Sequence, residues 1–341
     1  MNKVILLTTA MASLAIAPFT AANGPIDGKL YGKINVAVVN SDSGSTDTWK
    51  LNSNASRIGL KGSSQISEGL SVFYKTEFEV AADDGSNDIK KYSIDTLTLN
   101  ENGELVENKV DVKDTSTFKQ RNIYAGIKGQ YGSLLAGKND TPTKQAQKKI
   151  DLFNDSVGDI KKTFAGENRM SNIIAYTTPK YGNFSASYAI MPSEVVDGGL
   201  ADSKSYSVNY KKDGLYVAVA ADSNVKDADI LRIVSEYKLD AWKLGFMYQD
   251  SEELEDGVIM EKSGYFASAA YKSGNVTYKA QYGVNEADSS NAEDTTLSLG
   301  ADLRLAKKTK AFVFFTDNKI EIDPEKAGIE ESFGIGLEHK F

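Results

Sequence analysis

Sixteen stretches of this 341-residue chain alternate apolar and polar residues, and the links between them run short, long, short, long. Period two marks a strand that buries one face only. Trp242, Leu244, Phe246 and Tyr248 share one face, with Lys243, Gly245, Met247 and Gln249 on the other. Leu297, Leu299, Ala301, Leu303 and Leu305 oppose Ser298, Gly300, Asp302 and Arg304 in the same way. The stretches lie near 29–39, 55–62, 70–80, 117–128, 133–138, 169–178, 183–191, 204–211, 215–222, 229–238, 242–250, 263–272, 275–284, 295–305, 309–316 and 331–341. Links at 63–69, 129–132, 180–182, 212–214, 239–241, 273–274 and 306–308 are short, whereas 40–54, 81–116, 139–168 and 320–330 are longer and polar. Tight turns at one end and long loops at the other are the rhythm of a transmembrane antiparallel β-barrel. A soluble barrel of sixteen strands would have no means of filling its interior.

The amino terminus is set apart from this pattern. Lys3 precedes an apolar run at 4–16, Pro18 ends it, and Thr20-Ala21-Ala22 supplies small residues for cleavage. The expected organisation is therefore a signal peptide at 1–22 and one barrel at 23–341. No other apolar run reaches the length of a membrane helix, so a membrane form must be a closed barrel. The expected fold is all-β, with 16 strands, short periplasmic turns and long external loops.

Charge orients the strands. A Lys or Arg aimed at mid-bilayer costs roughly 2–4 kcal/mol, so Arg57, Lys75, Arg121 and Arg169 are expected to face the lumen. Their neighbours agree: Ile58 and Leu60 point away from Arg57, Tyr74 and Phe78 from Lys75, Ile174 and Tyr176 from Arg169. In the 117–128 stretch, strict alternation sends Asn122 outward with Phe118 and Tyr124 when Arg121 looks inward. An oligomer contact would shelter that amide.

Composition removes most alternatives. Cysteine is absent and His339 is the only histidine, which excludes thiol chemistry, Cys-zinc sites and multi-His metal centres, and no cofactor is expected. Lys and Arg total 39 against 47 Asp and Glu, a net charge of −8, so nucleic acid is no expected partner. A barrel enzyme needs an activated nucleophile or water. His339 instead belongs to the outward row Phe333, Ile335, Leu337, His339, Phe341 at the periplasmic rim. A structural or adhesive barrel is the other alternative, but sixteen strands make a channel nearly unavoidable.

Two long links carry further expectations. Residues 93–100 and 104–112 alternate around Asn102-Gly103, a dipeptide suited to a tight hairpin turn. The thirty residues 139–168 contain Ile150, Leu152, Phe153, Val157, Ile160 and Phe164, enough apolar surface to pack inside the barrel.

The segments Asp27-Gly28-Lys29-Leu30-Tyr31-Gly32-Lys33, Ser56-Arg57-Ile58-Gly59-Leu60-Lys61-Gly62 and Arg121-Asn122-Ile123-Tyr124-Ala125-Gly126-Ile127, with a terminal Phe341, resemble the general diffusion porins of Gram-negative bacteria. Asp140-Thr141-Pro142 and the run 150–155 resemble the marine and gammaproteobacterial branch, and the enterobacterial Pro-Glu-Phe-Gly-Gly-Asp signature is absent. The resemblance implies a homotrimer in the outer membrane, among lipid that includes lipopolysaccharide. Each barrel would pass ions and small hydrophilic solutes, narrowed by the third external loop folded into its lumen. It maps a basic wall onto Lys33, Arg57, Arg121 and Arg169, beside the inward Lys75. The facing loop acids would be Asp151, Asp155 and Asp159, with Glu167 a further candidate. On a helical segment those three aspartates would share one face and set a transverse field across the narrowest point. The aromatic end, with Leu337, His339 and Phe341, resembles the signal read by barrel-assembly machinery.

Deleting Phe341 is expected to lower the amount of assembled protein in the outer membrane, measured by heat-modifiable gel mobility. Normal amounts of the truncated chain would contradict an assembly role.

Overall fold

A computed structural model describes residues 27–85, 87–99, 105–255, 257–288, 292–321 and 327–341. The expected signal segment at 1–22 lies outside them. The strands are β1 (Asp27–Asp42), β2 (Asp47–Ser53), β3 (Arg57–Ser67), β4 (Leu70–Val80), β5 (Asn87–Leu99), β6 (Leu105–Ser116) and β7 (Phe118–Gly129). There follow β8 (Gly132–Asp140), β9 (Arg169–Thr177), β10 (Phe184–Met191), β11 (Ser203–Lys212), β12 (Leu215–Ser223) and β13 (Ala228–Leu239). The set ends with β14 (Trp242–Glu255), β15 (Val258–Ser273), β16 (Val276–Ala287), β17 (Glu293–Ala306), β18 (Thr309–Glu321) and β19 (Ala327–Lys340).

All but β5 and β6 form one antiparallel sheet, and it closes on itself where β1 pairs with β19 from Lys33↔Lys340 to Asp42↔Glu331. Phe341 completes the seam through two backbone hydrogen bonds with Gly32. β2 and β3 are two halves of one stave, both paired with β1. They are separated at 54–56, where Ala55 takes a left-handed φ of 48° and the Ser56 hydroxyl accepts from the Asn35 amide at 2.9 Å. The described residues thus build a closed barrel of sixteen staves, one for each alternating stretch.

Local chemistry explains the short ends. Asp213 and Gly214 both have positive φ, at 47° and 85°, the conformation a two-residue hairpin turn requires. Several long links are shorter than their polarity suggests. The 40–54 link is mostly paired strand, turning at 43–46, and β14 with β15 stay in register out to Glu255↔Val258. Beyond the hydrocarbon layer both faces of a strand meet water, so period two fades while the backbone ladder continues.

The faces agree with the alternation. Trp242, Leu244, Phe246 and Tyr248 are exposed on the outer surface, while Met247 and Gln249 are fully buried inside. Leu337 and Phe341 lie outward, and the His339 ring nitrogen Nδ1 bonds the Thr309 hydroxyl on the same row at 2.9 Å.

One expectation is overturned in β7. The β4 register shifts from Thr76↔Ile123 to Phe78↔Gln120, so Arg121 and Asn122 together oppose Glu77 in a β-bulge. Both side chains then point inward, each 8% exposed, and Tyr124 follows them, its ring 6.0 Å from that of Phe73. Asn122 needs no neighbouring protomer to shelter it.

The expected hairpin in the second external link is present. β5 and β6 pair from Asn87↔Ser116 to Leu99↔Leu105, longer than the alternation foretold, and the turn with Asn102-Gly103 lies outside the described residues. Backbone amides in β5 and β6 are therefore expected to exchange slowly with deuterium in the folded protein. Uniformly rapid exchange across both strands would show that the hairpin does not form.

Candidate functional site

Between β8 and β9 the chain leaves the wall and folds into the lumen. Thr141 caps the first turn by accepting from the Lys144 amide at 3.3 Å, and Pro142, which needs no amide partner there, opens the short helix α1 (Pro142–Ala146). A single 3₁₀ turn follows at Ile160–Lys162.

The apolar residues of this third loop press against the inside of the wall. Ile150, Ile160 and Phe164 pack with Tyr216, Ala218, Val234, Met247 and Phe266, and Phe153 packs with Ala37, Val39 and Phe314. Backbone groups so buried need partners, and inward polar side chains supply them. Ser268 donates to the Ile150 carbonyl at 2.6 Å. Gln281 accepts from the Leu152 amide at 2.9 Å and donates to the Gly158 carbonyl at 2.6 Å. Asn285 and Asn318 donate to the Thr163 and Val157 carbonyls at 3.1 and 3.2 Å.

The returning end is held by a guanidinium. Arg232 is 0% exposed and donates to Glu167 at 2.7 Å, to the Ala165 carbonyl at 2.7 Å and to Gln249 at 2.8 Å. Gly166 between these partners has a φ of +92°, and a Cβ there would come within 2.8 Å of the guanidinium.

Opposite lies the basic wall. Lys33 meets Asp155 at 2.9 Å, Arg57 pairs with the same carboxylate, and Arg121 approaches it at 3.9 Å. Arg121 also contacts Glu77 at 3.1 Å and pairs with Glu79, while Lys75 meets Glu77 at 3.2 Å. Arg169 stands apart from Asp155, bonded to Asp140 at 3.0 Å and donating to Asn122 at 2.7 Å. Asn122 in turn donates to Asp140 at 3.1 Å.

The three loop aspartates do not share a helical face. Asp155 has a left-handed φ of 68° and reaches the wall. Asp151 accepts from the Phe153 and Ile160 amides at 2.9 and 3.1 Å, and Asp159 accepts from the Asp155 and Lys161 amides at 2.8 and 3.0 Å. Those two spend their oxygens shaping the turn that presents Asp155.

Burial alone would raise the Asp155 carboxyl, but Arg57, Lys33 and Arg121 hold it down at about 2. A free aspartate titrates near 3.9. The ion cluster therefore stabilises the loop fully above that value and loses its hold only as pH falls through about 2. Burial, with Asp159 close by, pushes the Asp151 carboxyl upward.

The lumen divides into two chambers. The one toward the short turns has about 720 Å³ and is lined by ten Lys and Arg against five carboxylates of Asp and Glu. The one toward the long loops has about 580 Å³, with nine against six. Arg57, Lys149, Asp151, Asn154 and Asp155 line both, and so stand where the two chambers adjoin.

Sequence reasoning missed several of these residues. Glu77 and Glu79 share the inward parity of Lys75, a signal that was readable. Arg232 alternates with the outward Leu231 and Ile233 and was equally exposed to that argument. Nothing in the local pattern distinguishes Lys149 from its lysine neighbours.

A sequence-family model described as Gram-negative porin matches residues 8–321. The chain is similar to outer membrane porin protein 32 of Delftia acidovorans, 25% identical over 91% of this chain and 89% of that protein. It is also similar to the major outer membrane protein P.IB of Neisseria meningitidis, 26% identical over 69% of this chain and 77% of that protein. Among solved structures, OmpF of Salmonella typhi, in complex with daunomycin, superposes with a TM-score of 0.69 at 16% identity, covering 93% of this chain and 98% of that one. A trimer form of OmpT of Vibrio cholerae gives 0.65 at 14% identity, over 93% and 100%.

Removing one member of the Arg232–Glu167 pair leaves the other buried and unpaired, at a cost of about 3 kcal/mol. Arg232→Met and Glu167→Met are each expected to make 160–168 newly sensitive to trypsin, and the double substitution to recover part of that protection. Full protection in both single variants would show that the pair does not anchor the loop.

Proposed function

The chain belongs to the Gram-negative porin family, and on that footing we propose that its basic wall and third loop form a charged constriction favouring anions. The protein is an outer-membrane channel for passive diffusion. The permeating species are ions and small hydrophilic solutes, and each barrel of a homotrimer carries its own path. The trimeric form of a structural neighbour supports that assembly. Outer contacts are membrane lipid, including lipopolysaccharide, and the barrel-assembly machinery engages the terminal strand during insertion.

The observation that carries the constriction is the junction of the two chambers. Arg57, Lys149, Asp151, Asn154 and Asp155 line both sides of it, and Asp155 is drawn onto Lys33 and Arg57. Selectivity follows the local charge of the lining rather than the net charge of the protein. The chain as a whole carries −8, whereas bases outnumber acids in both chambers. Acidic residues concentrate elsewhere, on the outer hairpins that carry Glu252, Glu253, Glu261, Glu286 and Glu293.

A unit charge about 4 Å from an ion is worth about 1 kcal/mol in water, roughly a fivefold change in partition. Bilayer recordings under a KCl gradient are expected to give an anion-selective zero-current potential. Arg57→Gln, Arg121→Gln and Arg169→Gln together should move it toward cation preference. Asp155→Asn, which frees Lys33 and Arg57, should move it the other way. Folded variants that leave both potential and conductance unchanged would overturn the constriction.

A further inference from the structure

Three lysines stand side by side across the wall below the passage. In register, Lys29 of β1 faces Lys61 of β3, and Lys61 faces Lys75 of β4. Like charges directly opposite on neighbouring strands repel. Among the described residues only Lys75 has a carboxylate close by, Glu77 at 3.2 Å; Lys29 and Lys61 make no ion pair there, and both are exposed to the lumen.

The floor beside them is built. Tyr31 lies flat across β3, where Gly59 leaves room: a Cβ at that position would stand 2.6 Å from the phenol. The Tyr31 hydroxyl is anchored by donating to Glu77 at 2.8 Å. Two ammonium groups share this one ring, Lys61 at 5.1 Å and Lys75 at 6.0 Å from its centroid, and for Lys61 this contact steadies the cation without neutralising it. Lys29, Tyr31, Lys61 and Glu77 all line the chamber toward the short turns. Neighbouring, mutually repelling ammonium groups facing water, as Lys29 and Lys61 are, are stabilised by a small anion that bridges them. A doubly charged oxyanion suits them better than chloride, because it offers several acceptor oxygens to several donors.

We propose that Lys29 and Lys61, ranked beside the Tyr31 ring with Lys75 next in register, form a docking site for small oxyanions carrying two or more charges, on the periplasmic side of the passage. The site rests on the reading of the lumen as a conducting path. It gives an anion that has cleared the passage a place to pause.

Inorganic phosphate at pH 8 is the probe. Added on the periplasmic side of a bilayer, it is expected to block chloride current through the wild-type channel in a saturable manner. Lys29→Gln with Lys61→Gln should raise the half-blocking concentration on the order of tenfold, the scale of losing charge-assisted hydrogen bonds. Lys308→Gln with Lys340→Gln removes two charges from the same chamber but off the row, and should change it less than about twofold. Equal shifts in the two double variants would mean a diffuse field and no site, and absence of saturable block in the wild type would also overturn the proposal. A second readout is independent of conduction: phosphate should raise the unfolding temperature of the detergent-solubilised wild type and not that of the Lys29→Gln, Lys61→Gln variant. Loss of all KCl current would count against the channel reading, and the thermal shift would then decide the site.

Discussion

A sheet exposed to hydrocarbon must have no free edge, because each unpaired amide or carbonyl would cost several kcal/mol. The seam between β1 and β19 meets that demand, and much else follows from it. Closure with period-two strands sends Leu, Tyr and Phe outward and leaves Lys, Arg, Ser and Gln facing one another across the interior. Sixteen staves enclose more space than their own side chains can fill. The third loop occupies part of it, with Ile150, Phe153, Ile160 and Phe164 against the wall. Its backbone is satisfied by Ser268, Gln281, Asn285 and Asn318. The wall residues that look most out of place on a strand are thus the ones that fasten the loop.

Charge is organised on a second scale. An acidic chain encloses a basic lumen, so the sign of the whole molecule misleads about its interior. Within that lumen, Asp155, midway along the loop, ties it to Lys33 and Arg57, while Arg232 ties its returning end to the far wall. The loop is therefore clamped at its middle and at its returning end by ion pairs of opposite design. One lies in the lumen beside water. The other is buried and depends on leaving no partner unpaired.

Much of this was legible in the residues. The strands, their faces, the inward direction of Arg57, Lys75, Arg121 and Arg169, and the hairpin at β5 and β6 all followed from alternation and the cost of charge in lipid. The bulge at Arg121 and Asn122 did not, because two adjacent inward residues break the very periodicity used to read the strand, and Tyr124 changed face with them. The arrangement of Asp151, Asp155 and Asp159 was also hidden. Four-residue spacing suggests a helix, but Asp155 sits at a left-handed φ and its two companions bind loop amides instead. Hydrogen bonds to a loop's own backbone leave no periodic trace. The buried Arg232 shows the opposite failure, since its parity was plain and its partner 65 residues earlier was not.

The absence of cysteine allows a direct test of where solutes pass. Asn154 lines both chambers beside Asp155, so Asn154→Cys places a single thiol at their junction. Treating this variant with a charged methanethiosulfonate during bilayer recording should lower the open-channel current irreversibly. Mass spectrometry can verify that the thiol has reacted. Complete modification with unchanged current would contradict the account, because the conducting path would then lie somewhere other than between the third loop and the basic wall.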